Sequence, residues 1–246
     1  MRKAISLLVI GTAFVFFLSP RPSGARRGVL VGSFNPDLQG MSGILDVLNE
    51  ELETDLRFKE NGLMYSFVDK RYISLRWRRG LDVSFYSTKA IDSVSVRRAD
   101  NRKSDIYTEL GLMAVPVFLT RIYEVADRKQ RLCPYLGVGV GTIVTVMTGS
   151  YEEMIYSFDP EANSEPEEVQ TGRKRWILPN WAGQLLVGIE YRLTRKYQIM
   201  LEARYITASE AEIREPTAKI RDKPTPIEGS VDWSGFSYRV GLTFGF

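Results

Sequence analysis

The side chains that could do chemistry in this chain are acids and arginines, because histidine is absent. The 246 residues include 33 Lys and Arg, 30 Asp and Glu, one Cys and no His. Without imidazole, Ser-His-Asp and Cys-His nucleophile systems and histidine-ligated metal sites are excluded. The acid pairs Glu152-Glu153 and Glu167-Glu168 flank a stretch rich in Ser, Asn and Pro, which favours solvated charge over acid-base catalysis. We therefore expect a non-enzymatic protein with no catalytic residue, no cofactor and no metal site.

A second set of charged side chains occurs where polar and apolar residues alternate. A period of two places the two kinds of side chain on opposite faces of a strand. The charged members of the polar face are Arg76, Arg78, Glu190, Arg192, Glu202, Arg204 and Arg239, with Glu109 and Arg121 as further candidates. If this face lines a lumen, opposite charges must be neighbours, because an unpaired buried ion is costly. We predict a lumen charge network that is either a plug of ion pairs, which we favour, or the gate of a narrow pore.

The elements that must hold these charges are strands. The alternation is clearest in four stretches: Tyr72–Tyr86, Ala182–Leu193, Tyr197–Thr207 and Phe236–Phe246. Three further strands are predicted at Gly62–Val68, at Ile106–Val125 with a bulge at Pro116, and at Leu132–Ser150. A short eighth strand, Val29–Phe34, can close the set by pairing with the last one.

The connections between these strands alternate in length. Short turns are predicted at 69–71, 126–131 and 194–196, and long segments at 35–61, 89–105, 152–181 and 210–233. This alternation predicts an all-β fold, an eight-stranded antiparallel up-and-down transmembrane β-barrel. Within the first long segment, Ser42–Glu53 has helical spacing with Ser42 as its cap. We expect this short helix to fold against the barrel rim, or alternatively to cover the barrel mouth.

The N-terminus has the features of an export signal. Arg2 and Lys3 precede an apolar run from Ala4 to Leu18, and small residues lead up to Ala25. We predict a signal peptide at 1–25 and an outer-membrane barrel domain at 26–246. A membrane-anchor helix is the alternative, but about 15 apolar residues are few for a span of about 20. Without the signal's three bases, 30 bases balance 30 acids, so no nucleic-acid partner is expected.

The end of the chain carries a family resemblance. The sequence Tyr238-Arg-Val-Gly-Leu-Thr-Phe-Gly-Phe246 resembles the C-terminal signature of outer-membrane β-barrels, and the stretch from Pro134 to Gly141 is similar to a strand of small porin-superfamily proteins related to outer membrane protein A, X or W. The resemblance implies the outer membrane of a Gram-negative bacterium, with membrane lipid and lipopolysaccharide as partners. It also implies an assembly signal read by the barrel-assembly machinery, carried here by Gly241, Leu242, Phe244 and Phe246.

The function is predicted only in outline. We expect a structural role or minor passage of small solutes. Two alternatives stay open: a W-type barrel passing small hydrophobic molecules, and an exported soluble lipid-binding barrel. The parity of the strands does not separate membrane from soluble barrels, although strands of about ten residues favour a tilted membrane crossing. The acidic long segments could bind divalent cations shared with anionic lipid headgroups, or could simply keep the loops soluble.

Overall fold

The structure, a computed structural model, describes residues 25–58, 62–97, 102–126, 130–156, 166–215, 219–220 and 223–245. Its strands are β1 Ala25–Pro36, β2 Gly62–Tyr72, β3 Trp77–Arg97, β4 Lys103–Glu124, β5 Leu132–Tyr156, β6 Glu168–Arg192, β7 Tyr197–Ala208, β8 Ala211–Glu215, β9 Lys219–Ile220, β10 Lys223–Pro224, β11 Ile227–Val231 and β12 Gly235–Gly245. The predicted signal peptide lies outside the described residues, apart from Ala25 at the start of β1.

Eight of these strands close into one barrel. The order around it is β1, β12, β7, β6, β5, β4, β3, β2, and every neighbouring pair is antiparallel. The predicted eight-stranded up-and-down barrel is therefore confirmed. The first strand was predicted too short: β1 has 12 residues and bonds along both edges, which closes the seam with β12. A Cβ at Gly32 would collide with the carbonyl oxygen of Tyr238, so glycine permits this close approach.

The first short turn differs from its prediction. The turn lies at 73–76, where the N–H of Ile73 donates to the Trp77 carbonyl over 2.9 Å, and not at 69–71. The predicted strand Tyr72–Tyr86 is thus divided between the end of β2 and the start of β3. Ile73 and Leu75 continue the apolar parity through the turn, so periodicity alone does not mark it.

One side of the barrel is much taller than the other. β3, β4, β5 and β6 have 21, 22, 25 and 25 residues, whereas β1, β2, β7 and β12 have 11 or 12. The tall strands reach into segments predicted as loops. Glu152 and Glu153 lie in β5, where the buried Glu153 accepts a hydrogen bond from Ser104.

The bulge predicted at Pro116 is wrong. Val83 faces Val117 and Tyr86 faces Ala114, so the register of β3 against β4 is unchanged across the proline. Only the two pairings between these positions are missing. Proline has no N–H to donate, and this interrupts the hydrogen bonds without adding a residue.

A helix and a hairpin fill the mouth at the end with the long loops. A 3-10 turn at Gln39–Met41 leads into α1, Ser42–Leu52, and β8 pairs with β11 nearby. Met41 and Ile44 are buried in one apolar cluster with Trp233, so α1 covers the mouth. Ser42 is the first helical residue and not the predicted cap. Within the described residues, no helix is long and apolar enough to cross a membrane.

Candidate functional site in the barrel lumen

The exterior of the barrel is apolar, and buried charged side chains lie in its interior. Outward-facing residues of the barrel strands include Val31, Tyr65, Leu119, Leu136, Val138, Val140, Leu185, Val187, Leu201, Tyr238, Val240 and Leu242, all exposed. Alternate residues on the same strands, such as Asp82, Glu190, Glu202 and Arg239, are buried. A protein in water shows the reverse distribution. This rules out the exported soluble barrel, because only lipid accommodates such an exterior.

The chain is an eight-stranded outer-membrane β-barrel. Its short turns, together with the start of β1 and the end of β12, mark the periplasmic end in the usual orientation of such barrels. Aromatic pairs flank the membrane zone: Trp77 and Tyr123 have ring centroids 5.1 Å apart near the turns, and Tyr205 and Phe236 have theirs 4.9 Å apart towards the other end. Rings at these levels form the interfacial girdles of a membrane barrel.

The centre of the lumen holds a cluster of two acids and two arginines. Nη1 of Arg239 donates to Asp82 Oδ1 over 3.0 Å, and Nε of Arg239 donates to Glu202 Oε1 over 2.7 Å. Arg204 donates to Asp82 Oδ2 over 3.4 Å and to the Ser84 hydroxyl over 3.2 Å. Each acid thus binds at least one guanidinium, in charge-assisted hydrogen bonds of the stronger kind.

A second cluster lies nearer the periplasmic end. Nη1 of Arg78 donates to both carboxylate oxygens of Glu190, over 2.8 and 2.9 Å, and its Nε lies 3.1 Å from Glu124 Oε1. Nζ of Lys70 lies 3.3 Å from Glu190 and 3.8 Å from Glu202, which links the two clusters. Tyr135 adds to this link, because its hydroxyl donates to Glu202 over 2.7 Å and its ring lies 4.5 Å from Lys70 Nζ.

The two clusters together form an electrically neutral network. Its cations are Lys70, Arg78, Arg204 and Arg239, and its anions are Asp82, Glu124, Glu190 and Glu202. None of these eight side chains is more than 4% exposed. Buried charges are tolerated when they are paired and hydrogen-bonded. Each of these side chains has an ion pair, although Nη2 of Arg78 and Nε of Arg204 are buried without a hydrogen bond among the described residues. We call these eight residues the lumen network.

The upper half of the lumen is apolar, contrary to the charged lumen expected throughout. Phe34, Tyr86 and Trp233 stack or meet edge to face, with ring centroids 5.3 to 6.3 Å apart. Nε1 of Trp233 donates to the Thr145 hydroxyl over 2.6 Å, so the one polar atom of this ring is satisfied. Apolar residues face inward here as well as outward, for example Phe118 and Leu119 of β4.

The structure places some of the predicted lumen charges in the lumen network and others outside it. Arg78, Glu190, Glu202, Arg204 and Arg239 lie in the lumen network, but the other four candidates do not. Arg76 is exposed in the turn at 73–76 and donates to the Tyr123 hydroxyl over 3.1 Å, because the turn falls later than predicted. Arg192 is half-buried at the end of β6, and no ion pair of it occurs among the described residues.

The two further candidates lie outside the lumen. Glu109 pairs with Lys89 over 3.2 Å on the tall part of β4, where both side chains are partly exposed to solvent. Arg121 faces outward from β4 and is exposed. The alternation of β4 is weak because both of its faces are apolar, so its parity could not be assigned from the sequence.

Sequence reasoning missed five contributors to the lumen: Lys70, Asp82, Glu124, Tyr72 and Tyr135. Asp82 shares the polar parity of Arg78, which was a usable signal. Lys70 was assigned to the misplaced turn, and Glu124 ends its strand. Tyr72 donates to Glu124 over 2.8 Å and points inward, so a tyrosine beside a turn is not always part of the girdle.

The residues of the predicted assembly signal lie in the last strand. Leu242 faces outward and is exposed, while the Phe244 ring packs edge to face on Tyr197 at 5.9 Å. A Cβ at Gly241 would collide with the Val29 carbonyl oxygen, which ties this glycine to the closure of the seam. Phe246 lies outside the described residues. Recognition of this ending by an assembly machinery stays a prediction.

Outside the membrane, polar contacts connect the hairpin of β8 and β11 to β6, one of the four tall strands β3 to β6. Glu215 accepts a hydrogen bond from Lys174 and another, over 2.8 Å, from Trp176 Nε1. The hydrogen bond from Lys174 is the main cause that lowers the pKa of Glu215. No group of three or more potential metal ligands occurs in the described part of the chain.

No family model and no curated protein sequence matches the chain. Among solved structures, the chain is similar to the outer membrane protein OprG from Pseudomonas aeruginosa, at 15% identity over 91% of this chain and 96% of that one, with a TM-score of 0.46. Neisserial surface protein A matches at 12% identity over 91% and 98%, with a TM-score of 0.44. The E. coli outer membrane protein W matches at 11% identity over 92% and 100%, with a TM-score of 0.40. The barrel assignment itself rests on the strand register and the apolar exterior.

Proposed function

We propose that this protein is a closed, non-conducting and non-enzymatic barrel with a structural role in the outer membrane. The lumen network is the observation that carries this proposal. Its four cations and four anions are each at most 4% exposed, so the network blocks the periplasmic half of the lumen. Above it, Phe34, Tyr86 and Trp233 pack together beneath α1. A path for ions would have to disrupt both layers.

The rest of the molecule supports a structural role at the cell surface. The tall wall of β3 to β6 and the hairpin of β8 and β11 stand at the end with the long loops, where they would be presented outside the cell. We propose membrane lipid and lipopolysaccharide as the surroundings of this barrel, and the barrel-assembly machinery as the reader of its last strand. The absence of histidine removes the commonest general base from the whole chain.

Planar-bilayer recording tests the closed lumen. We expect the folded wild-type barrel to give no steady current, because both layers of the lumen are filled. A general porin reconstituted in the same bilayers serves as the positive control for insertion. Discrete, reproducible current steps from the wild-type protein would contradict the proposal and would favour a gated pore.

A second candidate function is the passage of small hydrophobic molecules. It is favoured by a cavity of about 110 Å³ between α1 and the tall strands, where Leu48, Leu110 and Trp176 line it together with the charged Glu109, Arg173 and Lys174. Uptake of an apolar dye into vesicles, abolished by filling this cavity with Leu110→Trp, would favour this candidate. Uptake that is equal with and without the protein would remove it.

A further inference from the structure

A row of arginines crosses the outside of the barrel near its periplasmic end. Arg71 of β2 faces Arg79 of β3, and Arg79 faces Arg121 of β4, in consecutive strand pairs. These three arginines have the outward parity of their strands. We call Arg71, Arg79 and Arg121 the arginine row.

Among the described residues, too little negative charge lies beside this row. Asp69 of β2 is the acid next to it, with Oδ2 at 3.1 Å from Arg71 Nη2 and 3.5 Å from Nε of Arg27, which is buried on β1. The three cations of the row therefore have one described anion beside them. Within the described residues, neither Arg79 nor Arg121 makes an ion pair, and both are exposed. Like charges directly opposite each other on paired strands destabilise a sheet, so the row calls for an anion from outside.

A groove of about 570 Å³ adjoins the row on the exterior. One end is lined by Arg71, Arg79 and Arg121 with the single acid Asp69, and the other by Leu81, Leu119 and Val140. Its shape and chemistry are therefore amphipathic, with charge towards the periplasmic turns and apolar side chains towards the hydrocarbon. This is the polarity of a phospholipid whose headgroup lies in the periplasmic leaflet.

The depth of the row fits a lipid headgroup. Trp77 and Tyr123 face each other one outward position closer to the turns than Arg79 and Arg121. The arginines thus lie on the hydrocarbon side of an interfacial aromatic pair. At this depth a guanidinium group requires a counter-ion, or its side chain must extend towards the interface to place the charge in water.

The row is also confined to one side. On β5 the residue opposite Arg121 is Val138, and the outward positions beside the turn on β6 and β7 are Tyr191 and Tyr197. A general basic belt at the interface would encircle the barrel, whereas this row covers three adjacent strands.

We propose that the arginine row and its groove bind an anionic glycerophospholipid of the periplasmic leaflet. The headgroup phosphate accepts hydrogen bonds from the guanidinium groups of Arg79 and Arg121, whose planar fork suits a phosphate better than an ammonium does. The acyl chain lies along Leu81, Leu119 and Val140. The lipid replaces the anion that the protein lacks and joins the strands across the like-charged pairs.

Native mass spectrometry of the folded barrel, released from micelles with added lipid, tests the site. We expect phosphatidylglycerol to bind the wild type more tightly than phosphatidylcholine of the same acyl chains. The double substitution Arg79→Gln, Arg121→Gln is expected to weaken phosphatidylglycerol binding by about tenfold or more, which corresponds to loss of one charge-assisted hydrogen bond. Arg195→Gln with Lys196→Gln, at the exposed turn between β6 and β7, is the matched control and should leave binding unchanged.

Four outcomes would overturn the proposal. They are equal binding of the two phospholipids by the wild type, equal phosphatidylglycerol binding by the double variant and the control, full competition by inorganic phosphate, and preference for lipid A. Heat-modifiable gel migration checks that each variant is folded. If the glutamine variant does not fold, Arg79→Lys with Arg121→Lys keeps the charge and removes the fork, and binding that stays at the wild-type level would contradict the assigned phosphate contact.

Discussion

Glu202→Gln is expected to lower the free energy of unfolding by about 3 to 5 kcal/mol, the usual cost of removing one partner from a buried ion pair. Glu202 accepts hydrogen bonds from Arg239 and Tyr135 and lies 3.8 Å from Lys70 Nζ. The neutral amide leaves the lumen network with four cations and three anions. Urea titration in lipid vesicles, followed by heat-modifiable migration, measures the loss.

Two companion variants show whether charge pairing is the cause. Glu109→Gln breaks the partly exposed pair with Lys89 and should cost at most about 1 kcal/mol. Adding Lys70→Met to Glu202→Gln restores three cations and three anions and should recover part of the loss. If the double variant is as unstable as the sum of its single substitutions, the two side chains are not coupled, and the network is not held together as described.

Leu201→Arg is expected to destabilise the barrel by about 2 to 4 kcal/mol, because an arginine on the lipid face near the midplane must leave water without a counter-charge. Leu201 lies near the middle of β7, points outward and is 54% exposed. Its side chain touches the bilayer and not the lumen network. The measurement is again urea titration in vesicles, with insertion checked by protease protection.

Leu193→Arg is the depth control for this substitution. Leu193 is 50% exposed, close to the figure for Leu201, but lies in the turn between β6 and β7. At the interface the cost of arginine falls to about 0 to 1 kcal/mol. Equal losses at positions 193 and 201 would show that exposure to lipid does not set the cost, and the facing of β7 would be wrong.

The sequence was sufficient for the strand number and for most of the facing. In β7 and β12 every second residue faces lipid and the others face the lumen, so polar and apolar positions alternate regularly. The alternation of polar and apolar residues is lost where both faces of a strand contact apolar surroundings. In β4, Phe118 packs in the upper lumen while Leu119 meets lipid, and both are apolar. The turn at 73–76 was missed because Ile73 and Leu75 continue the parity of the strands on either side.

The partners within the lumen were less predictable. Glu190 lies opposite Met200 on the neighbouring strand, but its charged partners are Arg78 and Lys70 on strands β3 and β2. A narrow lumen lets long side chains meet across it. Pairing by neighbouring strand therefore identifies the contact of Glu202 with Arg239 but not those of Glu190, and no local pattern in the sequence reports contacts across a closed barrel.

Cysteine labelling tests the central claim, the closed charge-filled lumen, most directly. Cys133 is the single cysteine of the chain, so Cys133→Ser gives a clean background. In it, Ser84→Cys places a thiol at a fully buried lumen position, and Ser74→Cys places one in the exposed turn at 73–76. With a water-soluble maleimide, Ser74→Cys should react in the folded barrel and Ser84→Cys only after unfolding. Labelling of Ser84→Cys in the folded barrel at the rate of Ser74→Cys would show a water path through the lumen and would contradict the account.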